Sequence, residues 1–491
     1  MTTAPDNASA GPPADSTPGD VESVVETATV ASRHWAAFPE RDRAQMLRQL
    51  ADALDAAAEE LAAVADAETS LGLVRLRGEV SRTTRQLRMF ATYIASYRHV
   101  DAIITEAGSS STHPDIRRML VPVGPAAVFA AGNFPFAFSV AGGDSASVLA
   151  AGCAAVVKAH PGHPRTSKMV NDIVVDAVAK AGAPTGLLAT VYGPHAGRAL
   201  VVHPSIKGVA FTGSTAGGRA LLNLAMSRLD PIPFYGELGS VNPVIVLPKA
   251  ANVRAAEIAQ GYAESLTLGT GQFCTKPGLL FVPDDAELLS AIALAVADTV
   301  GATMLTEGIF NQYQQAMTDD VWADLPVPAH GKASGVWAAE PQIRQTSLVE
   351  FQKNLDVLSQ ERFGPAGLVV TYTDLADLLA MLATLPGSLT ASVHAEDAEL
   401  ETARHVAVAL AGRAGRLIFN GWPTGVAVCW AMHHGGPWPA STTPWTTSVG
   451  ATAIRRWLMP VAYQNWPDVL LPPALRRGNP LAIHRVTQPQ A

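Results

Sequence analysis

Cys274 stands in GTGQFCTKPGLL, on a glycine-rich turn directly before an apolar run. A thiol attacks as its thiolate; small neighbours give access, and nearby backbone N–H groups favour the charged form over the reference pKa of about 8.5. Glu237, in PFYGELGSVNPV, is the one charge between Tyr235 and Leu247. A carboxylate carried into apolar surroundings has a raised pKa and suits general base work. Asn133 interrupts the apolar run AAGNFPFAF, where a side-chain amide can donate to a developing oxyanion. In GVAFTGSTAGGRA, residues Gly213, Ser214 and Gly218 follow a strand-like run and open a helix. The free N–H groups and dipole of such a terminus attract an anion.

Each of these has a plainer reading: a strand-to-helix turn, a buried glutamate paired with amides or a lysine, a small buried thiol, a turn-forming asparagine. Cys153, taken to lie within a helix, and Cys429 are read as small buried hydrophobes. Arg219 and Ala220 stand where a phosphate-binding P-loop needs Lys and Ser or Thr, which disfavours a nucleotide triphosphatase. GGDSASV lacks the last glycine of a serine-hydrolase elbow. His160, His163, His433 and His434 form no i, i+4 pair with a glutamate, so no metal site is expected.

The elements that must position these groups follow from the hydrophobic pattern. From Val21 to about Arg98 apolar residues recur at three- and four-residue steps, which predicts helices. Beyond Asp101, short apolar runs alternate with amphipathic stretches, the pattern of βαβ units around a parallel sheet. A second α/β region begins at PVIVL, and a helix is expected over ATAIRRWLMPVAYQ. Residues 1–20 read as a disordered tail, without the basic and apolar regions of a signal peptide. Met119 to Gly143 carries no charge, yet Pro122, Pro125, Asn133 and Pro135 mark it as buried strands and not a membrane span.

At 491 residues, with 48% apolar and 16% charged residues, the chain can build large cores and buried subunit contacts. A net charge of −8 offers no footprint for nucleic acid. Three scattered cysteines argue against disulfides or structural zinc and fit a cytoplasmic setting.

Taken together and in order, Asn133, VVKAHP, FTGSTAGG, GELGS, GQFCT and ERFGP resemble the aldehyde dehydrogenase superfamily, over about residues 25–485. NFPFAFSVAGGDSASVLAAGCAAVVKAHP, GQFCTKPGL and IFNGWPTGVAVCWAMHHGGPWPAST are most similar to its 2-oxoglutarate semialdehyde dehydrogenases and their NADP-dependent fatty-aldehyde relatives. The resemblance implies an α/β fold: a Rossmann-like cofactor domain (21–103 and 123–238), an α/β catalytic domain (239–445) and a small β oligomerisation flap (104–122 and 446–491). It implies NAD(P)-dependent oxidation of an aldehyde to an acid, in a homodimer or homotetramer without membrane or nucleic-acid partners. Cys274 would be the nucleophile, Asn133 the oxyanion donor and Glu237 the base. Lys158 would reach the adenosine ribose, Gly213, Ser214 and Gly218 the pyrophosphate, and Glu361 the nicotinamide ribose. Pro161 stands where NAD-preferring members often carry a glutamate, so NADP is favoured over NAD, with Arg198 the candidate for its 2′-phosphate.

Thr443, Trp445 and Ala427 stand where the semialdehyde dehydrogenase pattern carries charged residues. Such losses favour a less charged aldehyde unless Arg82 or Arg85 compensates. 2-Oxoglutarate semialdehyde is the first expectation, a medium- or long-chain fatty aldehyde the second. A cofactor-independent thiol esterase using Cys274 and Glu237 is the reading from another class, separated by its indifference to cofactor.

Overall fold

The computed structural model describes residues 11–107, 113–318 and 320–488. The helical periodicity of the first hundred residues becomes α1 (Pro18–Ala36), α2 (Glu40–Ala56), α3 (Ala58–Thr69) and α4 (Leu73–Ala95). α1 takes up the last three residues of the expected tail, 18–20. Thr17 and Asp20 satisfy each other's backbone N–H groups in a capping box, with Pro18 pre-set for the first turn. The expected tail's residues 1–10 lie outside the described residues. Trp35, Leu47, Leu50, Leu87 and Phe90 carry the apolar stripes of these helices into one core shared with the first parallel sheet.

Strands β1 (Ile103–Thr105) and β2 (Ile116–Pro122) pair antiparallel. Val486–Thr487 and Leu458–Gln464 flank them in a four-stranded sheet. The helix expected over residues 451–464 is thus half strand: Ala451–Trp457 coils as 3-10 helix, and Leu458–Gln464 is extended. Pro460 has no N–H to continue a helix, and Val461 and Tyr463 suit an extended chain.

The first parallel sheet is built from β3 (Ala126–Phe129), β4 (Ala155–Lys158), β5 (Leu188–Val191), β6 (Val209–Thr212) and β7 (Phe234–Glu237) in the order β5-β4-β3-β6-β7. Between them run α5 (Gly143–Ala151), α6 (Pro164–Lys180), α7 (Pro194–Val202) and α8 (Thr215–Met226). The order reverses between β3 and β6, and ligands bind at the carboxyl ends of strands beside such a switch. That edge collects the sequence candidates: Lys158 closes β4, Glu237 closes β7, Gly213 follows β6, and Asn133 lies just beyond β3. Cys153 is buried as expected but lies beyond α5, which ends at Gly152 with φ +93°.

The charge-free stretch from Met119 thus supplies β3, most of β2 and the start of α5. Among the described residues no helix is long and apolar enough to cross a membrane.

In the second sheet β8 (Val244–Val246) and β9 (Leu279–Pro283) are central neighbours. Outside β9 lie Ala366–Tyr372, Gln342–Ser347 and Ala329–His330; outside β8 lie Ser388–His394 and Ala414–Phe419. All pairs are parallel except that of Ala329–His330. Helices α9 (Pro248–Thr267) and α10 (Ala286–Ala297) cover one face, and a cluster including Phe281, Phe351 and Leu368 covers the other. Burial on both faces explains the unbroken apolar text of β8 and β9.

Candidate active site

After α9 the chain turns through Gly269 and Gly271 into the cysteine segment. Gly271 has φ +65°, and a Cβ there would collide with the Gly364 carbonyl, so glycine alone permits this approach. The turn is then fastened to the segment after β7. Asn242 donates through Nδ2 to the carbonyls of Cys274 (2.8 Å) and Lys276 (2.9 Å), and the Gly278 N–H donates to Val241 O at 2.9 Å. GELGSVN and GQFCTKPG, separated in the sequence, therefore form one rigid piece.

Its polar centre contains Cys274, Glu237 and His434. Cys274 Sγ lies 3.6 Å from His434 Nε2, and that nitrogen lies 2.8 Å from Glu237 Oε1. Ser448 donates its hydroxyl to Glu237 Oε2 at 2.7 Å. The His434 N–H donates to Thr447 Oγ1 at 2.8 Å, which fixes the backbone behind the imidazole. Asn133 joins from beyond β3: its Nδ2 donates to Gln272 O at 3.0 Å, while Arg75 donates to its backbone carbonyl at 2.6 Å. An amide carries two N–H donors, so the second can serve a nearby oxyanion.

The electrostatics depart from expectation in two ways. Burial pushes the Cys274 thiol well up, and the Glu237 charge pushes it further, so the lowered thiol pKa expected from a glycine-rich turn is not found. For Glu237, burial alone raises the carboxyl, but the attraction of His434 and hydrogen bonds from His434, Ser448 and Cys274 outweigh it, leaving the group below its ordinary value. The expected raised carboxyl is thereby corrected: the site holds a neutral thiol beside an ionised carboxylate.

Sγ, Nε2 and a Glu237 oxygen lie within 4.8 Å of one another, and these donor types suit zinc. The 2.8 Å between His434 and Glu237 is a hydrogen bond, shorter than the roughly 3.3 Å edge that metal bonds near 2.0 Å require.

Two cavities adjoin this centre. A cleft of about 940 Å³ runs from Ser214, Thr215 and Arg219 at the start of α8 to Gln360 and Glu361. Ser214 caps α8 by accepting the Gly217 N–H at 3.2 Å, and Gly218 is buried against Leu238. Glu361 lies against Gly239, opposite Thr215. Burial raises its carboxyl, opposed by the buried Lys276 ammonium. Of the sequence candidates, Ser214 and Glu361 thus line one cleft, with Gly213 and Gly218 outside its lining. Lys158 lies further along the same strand edge, and Arg198 is exposed on α7, outside the cleft lining.

The second cavity, about 260 Å³, opens on Cys274 and is lined by Arg75, Arg82, Phe134, Phe138, Phe273 and Val426 among others. Arg82 stacks over Phe138 at 5.3 Å and Arg75 over Phe273 at 4.7 Å. One guanidinium nitrogen of each is buried without a protein hydrogen-bond partner.

Sequence reasoning missed His434, Ser448, Asn242 and Arg75. The one available signal was the placing of Arg75, Glu79 and Arg82 at steps of four and three, a single face of α4. Of the two compensating arginines only Arg82 faces Cys274; Arg85 is exposed. Trp445 is 80% exposed and outside the cavity lining, so it does not shape the pocket. Cys429 is exposed in irregular chain next to Trp430, not a buried hydrophobe: it belongs to no strand or helix whose inner face would carry it into a core.

The sequence matches the aldehyde dehydrogenase family model over residues 4–442. It is 43% identical to alpha-ketoglutaric semialdehyde dehydrogenase 2 of Azospirillum brasilense over 484 residues, covering 96% of this chain and 92% of that protein. It is 40% identical to alpha-ketoglutaric semialdehyde dehydrogenase of Acinetobacter baylyi over 476 residues, covering 95% and 90%. The fold is similar to that of an aldehyde dehydrogenase C mutant from Pseudomonas syringae, solved with NAD+ and octanal, with a TM-score of 0.78 at 22% identity over 92% of this chain and 90% of that one. With its thiol, carboxylate and cleft in these positions and such matches along nearly its whole length, the chain belongs to the aldehyde dehydrogenase family and is an oxidoreductase.

Proposed function

We propose that the protein oxidises an acidic semialdehyde, 2-oxoglutarate semialdehyde first among candidates, to the carboxylic acid with NAD or NADP. The observation that carries this reading is a half-buried thiol, 3.6 Å from His434, at the end of a cavity holding two arginines. His434 Nε2 donates to Glu237, so the proton leaving Cys274 goes to the Glu237 carboxylate as Sγ attacks the aldehyde carbon. The imidazole N–H can then turn to the sulfur. The thiohemiacetal oxyanion meets the Asn133 amide and the Cys274 backbone N–H. NAD or NADP, held by the residues named below, would supply the hydride acceptor. Glu237, held by His434 and Ser448, returns its proton to solvent and activates the water that hydrolyses the thioester on Cys274.

For the cofactor, Ser214 with the amino end of α8 would hold the pyrophosphate, Glu361 the nicotinamide ribose and Lys158 the adenosine ribose. Pro161 and Arg198 support admission of NADP. The domain limits and the homodimer or homotetramer expected from the sequence belong to the same proposal: the four-stranded sheet presents Met459 and Val486 to solvent, surface that a second subunit would cover. The cytoplasm remains the setting expected from the cysteine usage.

Arg82 and Arg75 support an anionic substrate: Glu79 offsets part of their charge while its Oε1 is engaged by the Phe136 and Ala137 N–H groups, and Glu237 acts on Arg82 alone of the two. The three phenylalanines favour the second reading, a neutral aliphatic aldehyde. Reduced nicotinamide formation with 2-oxoglutarate semialdehyde, succinate semialdehyde and octanal, using Cys274→Ala as control, decides. A kcat/KM for octanal equal to that for the acids would remove the substrate assignment and leave the reaction class.

A further inference from the structure

The end of β4, the second strand of the first sheet, carries Lys158 followed by Ala159, His160 and Pro161, and no acid. In folds of this strand order a carboxylate at that point reads the ribose 2′-hydroxyl of NAD, whereas a cation accommodates the 2′-phosphate of NADP. The structure brings a carboxylate to this point from a distant part of the chain. The Ser16 N–H donates to Tyr192 O at 3.0 Å, and the Tyr192 N–H donates back to the Ser16 hydroxyl at 3.0 Å. This clasp seats Asp15 on Gly193, which opens α7 with φ +88°. A Cβ on Gly193 would stand only 2.7 Å from either Asp15 carboxylate oxygen. Lys158 pairs with Val191 on the neighbouring strand, two residues before Gly193. Burial lowers the Lys158 ammonium, and the Asp15 charge opposes that shift. Lys158, the amino end of α7 and Asp15 therefore surround one spot on the carboxyl edge of the sheet.

We infer that Asp15 is a cofactor-discriminating residue: it accepts a hydrogen bond from the ribose 2′-hydroxyl of NAD and repels the 2′-phosphate of NADP. It restrains the NADP use that Pro161 and Arg198 would otherwise allow. The inference rests on the proposed placing of the adenosine ribose over Lys158. Asp15 is exposed and lies outside the buried cores, so its replacement leaves the packing of the sheet untouched.

The test is direct binding to the full-length protein of 5′-AMP, 2′,5′-ADP, NAD and NADP by calorimetry, with Asp15→Asn, Asp15→Ala and Lys158→Ala. Both Asp15 variants are expected to shift the affinity ratio toward 2′,5′-ADP over 5′-AMP by about tenfold or more, less at high salt because the repulsion is screened. A ratio within about twofold of the parent in both variants overturns the role of Asp15. Lys158→Ala distinguishes the two possible failures. If it weakens both fragments while the Asp15 ratio stays fixed, only the discriminating role falls. If it leaves both fragments unchanged, the ribose placement falls and the inference falls with it.

Discussion

His434 Nε2 stands 2.8 Å from Glu237 Oε1 and 3.6 Å from Cys274 Sγ, so a single imidazole nitrogen touches both the carboxylate and the thiol. It cannot donate to both at once. In the resting arrangement it fixes the carboxylate, and after proton transfer it is free to face the thiolate. His434→Ala leaves Cys274 and Glu237 in place but removes this positioning; kcat/KM should fall by about 10²-fold or more. His434→Asn, whose amide can still donate to Glu237, should recover part of the loss, a rescue that simple loss of packing would not give.

The pH dependence follows from two opposite shifts. Because the thiol is raised above its ordinary 9.0 by burial and by Glu237, alkylation of Cys274 by iodoacetamide should accelerate through alkaline pH without levelling near neutrality. Glu237→Gln removes one raising influence, so the alkylation profile should move to lower pH. A profile unchanged in this variant would contradict the contact between the two groups.

Since Glu237 lies below its ordinary 4.5, its carboxylate persists through mildly acid solution. Turnover should therefore lose its base only as pH falls below the usual carboxylate range. Glu237→Gln should lower steady-state turnover by about 10²- to 10⁴-fold. Because Glu237 also takes the Cys274 proton, stopped-flow should show the first release of reduced nicotinamide slowed together with steady-state turnover.

Arg82 explains how the cavity can prefer an anion. Replacing it by methionine keeps the aliphatic bulk against Phe138 but removes a charge-assisted contact worth about 1.5–3 kcal/mol. KM for 2-oxoglutarate semialdehyde should rise by about 10- to 150-fold, while octanal changes little. Parallel steady-state measurements on the two aldehydes provide the check.

Away from the site, Arg456 pairs with Asp144 at 2.6 Å with both groups buried, and Trp457 donates to Ser147 on the same helix at 2.8 Å. Arg456→Met strands the Asp144 charge, at a cost of about 3–5 kcal/mol. The midpoint of thermal unfolding should drop clearly, whereas replacing the exposed Arg404 should leave it near the parent value.

The sequence revealed those parts of the site whose local text is unusual. Cys274 has glycines that admit a close backbone approach, Glu237 is isolated in an apolar strand, and Lys158 and Gly213 lie where strands end. His434 has no such mark: it sits in irregular chain beside another histidine, and its value arises only where that chain, beyond the second sheet, folds back on β7. The signs of the Cys274 and Glu237 shifts were equally hidden, since they depend on which charged group faces which. Residues 458–464 misled because apolar spacing alone fits a helix, and their pairing with β2 depends on sequence more than three hundred residues away.

The cluster of Glu237, Cys274, His434 and Ser448 is assembled from β7, the turn before β9 and the irregular chain around residues 434–448. During synthesis the thiol therefore emerges long before the imidazole and hydroxyl that organise its neighbour. Until residues 434–448 have been made and folded back, the nascent chain carries this cysteine without its polar neighbours. Chemical competence is thus a late event in the life of each molecule, and reactivity of Cys274 can serve as a reporter of completed folding.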